Sequence, residues 1–411
     1  MDIQIDRDEL QRIQEQHRSN TIHYEVMDAE FIEFDVEVLE EPEKPKETRP
    51  RGKPAPVTSV LRYNVPWMDR QRRYSTHPTE RLHQEIVDFA NYVSPTEEER
   101  YSRSEAVRRL TEVVQSLWRE ATVQVFGSFD SQLYLPSSDL DVVVVHQDLQ
   151  LDDYTKPPLK KLAKALLKAG IPIPETVKVI TKARVPIIKY VDHNTDFEID
   201  VSFNVTSGLE AATFMQKQMK AQSAIRPFTL VMKHFLHMRE LNEVFHGGLG
   251  SFSIMCLVIS FLQMHPLVQT GLIRAHENLG VLVLEFFELY GRNFNSDIVG
   301  ISVQKDGSYY DKEERGWLQE AKPHLLSIED PQTEENDISK GSFAYGAVRH
   351  CFEHAFNVLR CAMQEFEVLQ RRQADKGKND PQPMPSLLGS IITLDPKLLR
   401  HRYYIQQTAN I

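Results

Sequence analysis

Asp139 and Asp141 stand two residues apart at the mouth of a run of four valines, Val142 to Val145. Successive strand residues point to opposite faces, so carboxylates at this spacing share one face. Two like charges beside a buried strand are costly unless something positive neutralises them. In "FEIDVSF" the period-two pattern turns Phe197, Ile199, Val201 and Phe203 inward, with Glu198, Asp200 and Ser202 on the other face. Asp200 on an adjacent strand can therefore converge on the first pair. Three carboxylates within a few ångströms call for divalent cations. Two metals about 4 Å apart are the recurring device for in-line phosphoryl displacement. Hard oxygen ligands favour Mg2+ or Mn2+. Gly127–Ser128 ends the preceding strand. Glycine there lets a phosphate approach the backbone, and N–H groups opening a turn or helix bind anions.

The elements that must position these residues are legible along the chain. "TVQVF", "LDVVVVH", "TVKVI", "VPIIKYV" and "FEIDVSFNV" read as strands, and "KPPLKKLAKALLKAG" as a basic amphipathic helix. Together they make a small mixed sheet with helices on one side. Two helices come earlier. The first places Leu82, Ile86, Phe89 and Val93 on one face. In the second, Ser94 suits an N-cap, Pro95 the first helical position and Glu97 the capping box. From about Arg226 the chain reads as helices, among them "RPFTLVMKHFLHMRELN", "SFSIMCLVISFLQMHP", "LGVLVLEFFELYG" and "GSFAYGAVRHCFEHAFNVLRCAMQEFEVLQRR". The expected division is an N-terminal tail and linker over 1–60 and a helix over 61–93 that joins a central domain. The mixed-sheet domain follows over 94–222, the helical central domain over 223–372, and a C-terminal tail over 373–411. In the first stretch, "IEFDVEV" alternates as a strand with an acidic face, ahead of the proline-rich "EPEKPKETRPRGKPAP". It reads either as a solvated tail or as a strand that adds to a partner's sheet.

Composition narrows the classes. A chain of 411 residues with 41% hydrophobic and 26% charged content has room for two or three domains and a substantial core. Three cysteines without metal-type spacing make no disulfide framework, and a reducing compartment is expected. The longest apolar stretch, "FSIMCLVISFLQM", is too short to span a bilayer, and the charged N-terminus has no signal-type apolar run. The chain is expected to be an intracellular soluble protein, with no membrane partner. A formal charge of −11 argues against a protein that grips nucleic-acid phosphates unaided. "HFLH" and "HCFEH" are His pairs at helical spacing, but no further ligand lies nearby, so they read as helix surface. "KKLAKALLK" reads equally as a nucleic-acid face and as a solvated amphipathic helix.

A lone D-x-D says little. The composite G-S-x10-D-x-D, with a further Asp in "EIDVSFN" about 60 residues on, is specific, and it resembles the nucleotidyltransferases of the DNA polymerase β superfamily. "LYLPSSDLDVVVV" and "EIDVSFNVTSGLEAA" are similar to the non-canonical poly(A) polymerases of the Trf4 type, over roughly residues 65 to 400. The resemblance implies an α+β chain: a polymerase β-like catalytic domain plus a helical PAP-associated central domain. It also implies a template-independent adenylyltransferase that adds AMP from ATP to RNA 3′ ends. Asp139, Asp141 and Asp200 would be both catalytic and metal-binding. Gly127 and Ser128 would face the triphosphate, Gly208 the ribose, Lys233 the β- and γ-phosphates, and Ser251 the triphosphate again. Phe252 would stack on the base. Asn336, in the nucleotide-recognition motif "IEDPQTEENDISKGSF", would face the base edge, with Lys340 one helical turn later. Many relatives carry Tyr in place of Phe252 and Arg in place of Lys340, and uridine-adding ones often carry a second Lys where His237 stands.

Further implications are a zinc-knuckle RNA-binding protein, an RNA helicase and the nuclear exosome as partners, and a nuclear location in nucleolus and nucleoplasm. A partner segment is expected on the helical domain, in a groove formed by "HCFEHAFNVL". Two rival readings are a terminal uridylyltransferase, whose relatives tend to place His at the position of Asn336, and a catalytically silent scaffold. The intact carboxylate set and Lys233 speak against the scaffold.

Overall fold

The computed structural model describes residues 61–69, 71–130, 133–147, 157–181, 185–205, 207–376 and 384–409. The strand and linker expected within 1–60 lie outside the described residues. Helix α1 (Pro78–Val93) and helix α2 (Glu97–Leu117) open the described chain. A five-stranded sheet follows, in the order β1-β2-β5-β4-β3. Its strands are β1 (Thr122–Val125), β2 (Leu140–Val145), β3 (Lys178–Ile180), β4 (Ile187–Val191) and β5 (Glu198–Phe203), and helix α3 (Pro157–Lys168) lies between β2 and β3. All five expected strands are present. β2 runs parallel to β5, and the other pairings are antiparallel.

Strand alternation divides the sheet into two faces. Leu140, Val142, Val144, Ile199, Val201 and Phe203 bury one face against Ala106, Leu110 and Val114 of α2 and Leu159, Leu162 and Leu166 of α3. The register is fixed at the far end of the strands. Asn204, held at φ 52°, accepts from His146 N–H at 2.9 Å and donates to its carbonyl at 2.9 Å. A slip by one residue would reverse every face, so this clamp decides which residues reach solvent. The β4–β5 turn is tied to α2 by Arg109, which donates to both oxygens of buried Asp192 at 2.9 and 2.8 Å.

The second layer is helical. Helices α4 (Ser207–Ala221), α5 (Ile225–His237), α6 (Ser251–Met264), α7 (Leu279–Glu288) and α8 (Tyr345–Lys376) surround one core to which α1 also belongs. Phe228, Phe261, Phe286 and Phe352 meet there at inclined ring angles, with centroids 5.2–5.9 Å apart. The helical reading of this half missed a hairpin, β6 (Val299–Ser302) with β7 (Ser308–Asp311). Its signal was present in "QKDG", where Lys305 and Gly307 take positive φ.

Three further expectations are corrected. The capping box belongs to Thr96 and Glu99, not Ser94 and Glu97: Thr96 Oγ1 accepts from Glu99 N–H and the Glu99 carboxylate from Thr96 N–H. Ser94 instead ends α1, its hydroxyl donating to the Ala90 carbonyl. The apolar residues of "HCFEHAFNVL" form no groove, because Phe352, Ala355, Phe356, Val358 and Leu359 are buried in the helical core. The segment expected as a C-terminal tail is packed structure. Leu387, Leu388, Ile391 and Ile392 enter the helical core, while helix α9 (Pro396–Thr408) lies on α2 and inserts Ile405 into the sheet-side core.

Two buried carboxylates hold that segment in place. Glu85 on α1 pairs with Arg81 and accepts from Ser386 Oγ at 2.6 Å and Leu388 N–H at 2.9 Å. Glu99 accepts from Arg402 Nε at 2.7 Å and a second guanidinium nitrogen at 3.0 Å, while Arg402 also donates to the Ser94 carbonyl at 3.0 Å. Both members of the Arg402–Glu99 pair are buried. Removing one partner strands the other charge, at a cost of about 3 kcal/mol or more. Arg402→Met should lower the urea unfolding free energy by about that amount, and adding Glu99→Gln should restore part of the loss. A single variant as stable as the parent would show that the pair does not hold this C-terminal segment, residues 384–409, as a strap across α1 and α2.

Candidate functional site

The parallel pairing of β2 with β5 sets Asp141 directly opposite Asp200, and the β4–β5 pairing sets Lys189 opposite Asp200 on the other side. These three residues form a row across the sheet on the face not covered by α2 and α3. Asp139 precedes β2 and shares the face of Asp141. The turn after β1 comes in against the row. Gly127 sits at φ 67°, and a Cβ there would lie 2.5 Å from Asp141 Oδ2. Only glycine permits both the left-handed conformation and this approach. Phe126 N–H donates to the Asp141 carbonyl at 3.0 Å, which pins the start of the turn.

Burial first, and the charges of Asp200 and Asp139 next, push the Asp141 carboxyl up to about 7. Burial raises Asp200 to about 6; Lys189 opposes that rise, and Asp139 and Glu198 add to it. Lys189, which the sequence reading did not single out, stands among these carboxylates. Its Nζ donates to Asp139 Oδ2 at 2.8 Å and lies 3.0 Å from Glu198 Oε2 and 3.7 Å from Asp200 Oδ1. Burial pulls its pKa down, but the hydrogen bond to Asp139 and the charges of Asp139 and Asp200 outweigh that and hold it raised. Its signal was the lone polar position in "VPIIKYV", which alternation aims at the carboxylate face.

Lys233 supplies a second cation, from inside the helical body. It is buried on α5, donates from Nζ to the Leu133 carbonyl at 2.7 Å, and lies in the field of Asp141. Burial lowers its pKa to about 8, against the opposing pull of Asp141. The contact pins the loop leading to Asp139. The Pro136 carbonyl of that loop accepts from Arg103 at 3.3 Å, and Leu135 N–H donates to Ser138 Oγ at 2.9 Å. His237, at the exposed end of α5, has Nε2 3.3 Å from Ser137 Oγ and feels the charge of Asp139. It therefore borders this loop and is not part of the core.

The remaining expected residues occupy a continuous path away from the carboxylates. Ser128 follows Gly127 in a single helical turn, and its side chain lies outside the described residues. Gly208 opens α4 beneath the Phe126 ring, which a Cβ would meet at 2.3 Å, so packing alone accounts for glycine there. From the same helix Phe214 meets Phe252 edge-on, with centroids 6.1 Å apart. Ser251 is exposed and Phe252 half-buried at the N-terminus of α6, where Gly250 provides no side-chain cap. Ser253 Oγ donates to the Ile338 carbonyl at 3.4 Å, which joins α6 to the segment holding Asn336 and Lys340.

That segment is a loop, so Lys340 does not follow Asn336 by a helical turn. Asp337 organises it, accepting from Ile328 N–H, Ser327 Oγ and Ser339 N–H. Asn336 Nδ2 donates to Asp330 Oδ2 at 2.9 Å, which fixes the plane of the amide; Lys340 is exposed. Asp330 and Asp337 were not singled out from the sequence, although both lie within the quoted motif.

Among the described residues, no three carboxylate, imidazole or thiolate side chains already stand together as a metal-ligand set. Asp141 and Asp200 are brought together, whereas Asp139 is turned onto Lys189. The residues nevertheless fit a divalent cation. Asp200 Oδ1 is buried and accepts no hydrogen bond, and beyond the effect of burial the charges of Asp200 and Asp139 oppose ionisation of Asp141. An all-oxygen donor set suits Mg2+ or Mn2+.

Comparison with known proteins agrees with this geometry. The family described as "Poly(A) RNA polymerase, mitochondrial-like, central palm domain" matches residues 82–217, and "Cid1 family poly A polymerase" matches residues 278–336. Poly(A) RNA polymerase cid14 of Schizosaccharomyces pombe is 41% identical over 83% of this chain and 49% of its own length. The inactive non-canonical poly(A) RNA polymerase protein Trf4-2 of Drosophila melanogaster is 38% identical over 67% of each chain. The chain spans about half the length of curated relatives such as cid14. A solved structure of the polymerase core of TRAMP, a RNA surveillance complex, superposes with a TM-score of 0.70 at 37% identity, covering 80% of this chain and 100% of that one. A polymerase β-like catalytic domain, a helical PAP-associated domain and full coverage of that core at this identity leave one assignment: the chain belongs to the non-canonical poly(A) RNA polymerase family of the Trf4 type.

Proposed function

We propose that this chain is an RNA adenylyltransferase that adds AMP from ATP to RNA 3′ ends without a template. The observation that carries the reading is the facing pair Asp141 and Asp200, with Asp139 at the strand mouth and a buried Asp200 oxygen lacking any hydrogen bond. Asp139 and Asp141 would hold both of two Mg2+ or Mn2+ ions, and Asp200 one of them. Such ions supply activation of the attacking 3′-hydroxyl and neutralisation of the leaving pyrophosphate. The chain's own residues do the positioning. Gly127 lets the triphosphate approach the backbone beside Asp141, and the uncapped N-terminus of α6 at Ser251 attracts its charge. Phe252 offers a stacking surface, a sequence-tolerant contact of about 1–3 kcal/mol. Asn336, its amide plane set by Asp330, presents the donor and acceptor pattern that suits adenine. Gly208, packed beneath the Phe126 ring, would lie against the ribose, and Lys340 is exposed in the segment that carries Asn336. Lys233 acts from within, as a positive charge behind Asp141 and the anchor of the Leu133 loop.

The relation to a TRAMP core supports a place in RNA surveillance. A zinc-knuckle RNA-binding protein, an RNA helicase and the exosome would then be partners, and the nucleus the location. Primer extension with each NTP supplied separately tests the activity, and no extension with any NTP would favour the silent scaffold.

Three outcomes follow from the site. The Asp141 carboxyl has an ordinary pKa of 3.8 and a folded value of about 7, so between these the folded state keeps a proton that the unfolded state loses. Stability therefore falls as pH rises across that window, and the full cost of the charge is present above it. Asp141→Asn should abolish extension yet stabilise the metal-free protein at pH 8 by on the order of 2 kcal/mol, a gain that fades toward pH 4. Thermal melts in EDTA at both pH values check this, and a destabilised variant at pH 8 would refute the charge argument. Asn336→His should shift the ATP:UTP ratio of kcat/KM toward UTP by about tenfold, since an imidazole cannot present the amide's paired donor and acceptor. An unchanged ratio would remove Asn336 from base selection. The isolated chain, at −11, should bind RNA no tighter than roughly micromolar at physiological salt, because little counterion release is available. Filter binding at nanomolar affinity would overturn the need for a partner.

A further inference from the structure

Lys189 is unusual in its surroundings: one ammonium within 4 Å of three carboxylates, two of which, Asp139 and Asp200, are read above as metal ligands. The third, Glu198, stands two residues before Asp200 on β5 and is exposed, so it shares the ammonium's face without facing Asp141. Resting on the two-metal reading, we propose that Lys189 is a built-in counter-ion of the carboxylate site, one that competes with the divalent cation for Asp139. When the cation enters, Nζ gives up Asp139 and remains on Glu198.

Charge balance requires such a competition. Without a cation in the row, Lys233 and Lys189 are the lysines whose charges favour ionised Asp141. Lys189 holds Asp139 through Oδ2 at 2.8 Å, so a cation arriving at this carboxylate meets an oxygen already engaged and a like charge beside it. The exchange is short because Glu198 already lies 3.0 Å from Nζ. The ammonium needs only to drop one of two partners, with no change of strand or loop. Lys189 is thus a positioning residue: it keeps the carboxylates folded together before metal arrives, and it sets the metal concentration at which they change partner.

The experiment measures Mn2+ binding to the whole chain by electron paramagnetic resonance of unbound Mn2+, alongside thermal melts in EDTA and in saturating Mn2+. Lys189→Met should tighten Mn2+ binding at least about fivefold, because a neighbouring unit charge no longer opposes the ion. It should also lower the melting temperature in EDTA at pH 8 and widen the gap between the two melts. A purely structural lysine would give looser, not tighter, metal binding when removed. Glu198→Gln, at an exposed position, should act in the opposite direction and weaken Mn2+ binding, since the ammonium loses its second partner; this arm decides the matter if Lys189→Met does not fold. Unchanged Mn2+ affinity in both variants, or weaker binding in Lys189→Met, would overturn the proposal. Failure of the two-metal reading looks different: the parent chain itself would bind no Mn2+ that Asp141→Asn removes.

Discussion

The constraint on which the rest of the structure depends is the parallel pairing of β2 with β5, which sets two half-buried carboxylates side by side. Asp141 and Asp200 face each other across one ladder step, and after burial the charge of Asp200 raises the cost of ionising Asp141. No sheet needs such a pair for stability. It survives because the surroundings hold it there. Asn204 clamps the register through His146, Gly127 leaves room beside Asp141, Lys189 stands in the row next to Asp200, and the charge of Lys233 acts on Asp141 from α5. Stability is spent at one place, and the hydrophobic face behind it, Val142 and Val201 against α2 and α3, supplies it.

The same economy explains the strap. A sheet with one carboxylate face exposed and a helical body beside it need a fixed relation if residues from both are to meet one nucleotide. Lys233 reaches from α5 to the loop before Asp139, and the C-terminal segment ties α1 and α2 through Glu85 and Glu99. These buried ion pairs are poor sources of net stability but costly to break, so they specify one arrangement. His401 adds a contact of 2.8 Å to the Thr195 carbonyl at the β4–β5 turn. The chain's last described helix thereby reports on the edge of the site, about two hundred residues earlier in sequence.

Legibility in the sequence followed the range of the physics. Strand alternation is local, and it placed Asp139, Asp141 and Asp200 on one face with the right partners buried. The periodic helices α1, α2, α5, α6 and α8 were equally plain. What escaped depends on partners distant in the chain. Lys189 is an ordinary exposed-face lysine until β4 lies next to β5, and Arg402 is one of many charges until α9 lies on Glu99. The hairpin β6–β7 was hidden because the flanking text is helical and its turn is short. The capping box moved by two residues because Ser94 bonds back to Ala90 and leaves Thr96 to cap. For Gly208, resemblance pointed to a ribose, whereas the structure gives a nearer cause in the Phe126 ring.

Charge placement settles a question that the sequence left open, the role of the basic helix α3. Leu159, Leu162 and Leu166 anchor α3 on the face of the sheet that Val142 and Val201 share. The carboxylates project from the opposite face, since Asp141 lies between Leu140 and Val142 in strand alternation. Lys160, Lys164 and Lys168 are exposed on the outer side of α3, with the thickness of the sheet between them and Asp141. An RNA 3′ end held at the carboxylates therefore cannot at the same point rest on these lysines. The basic stripe is a solvated face with respect to the reaction, and its charge does not offset the local acidity of the site. On the proposed reading, grip on the polyanion would come from elsewhere along the RNA, and a charge of −11 is the physical ground for proposing a partner.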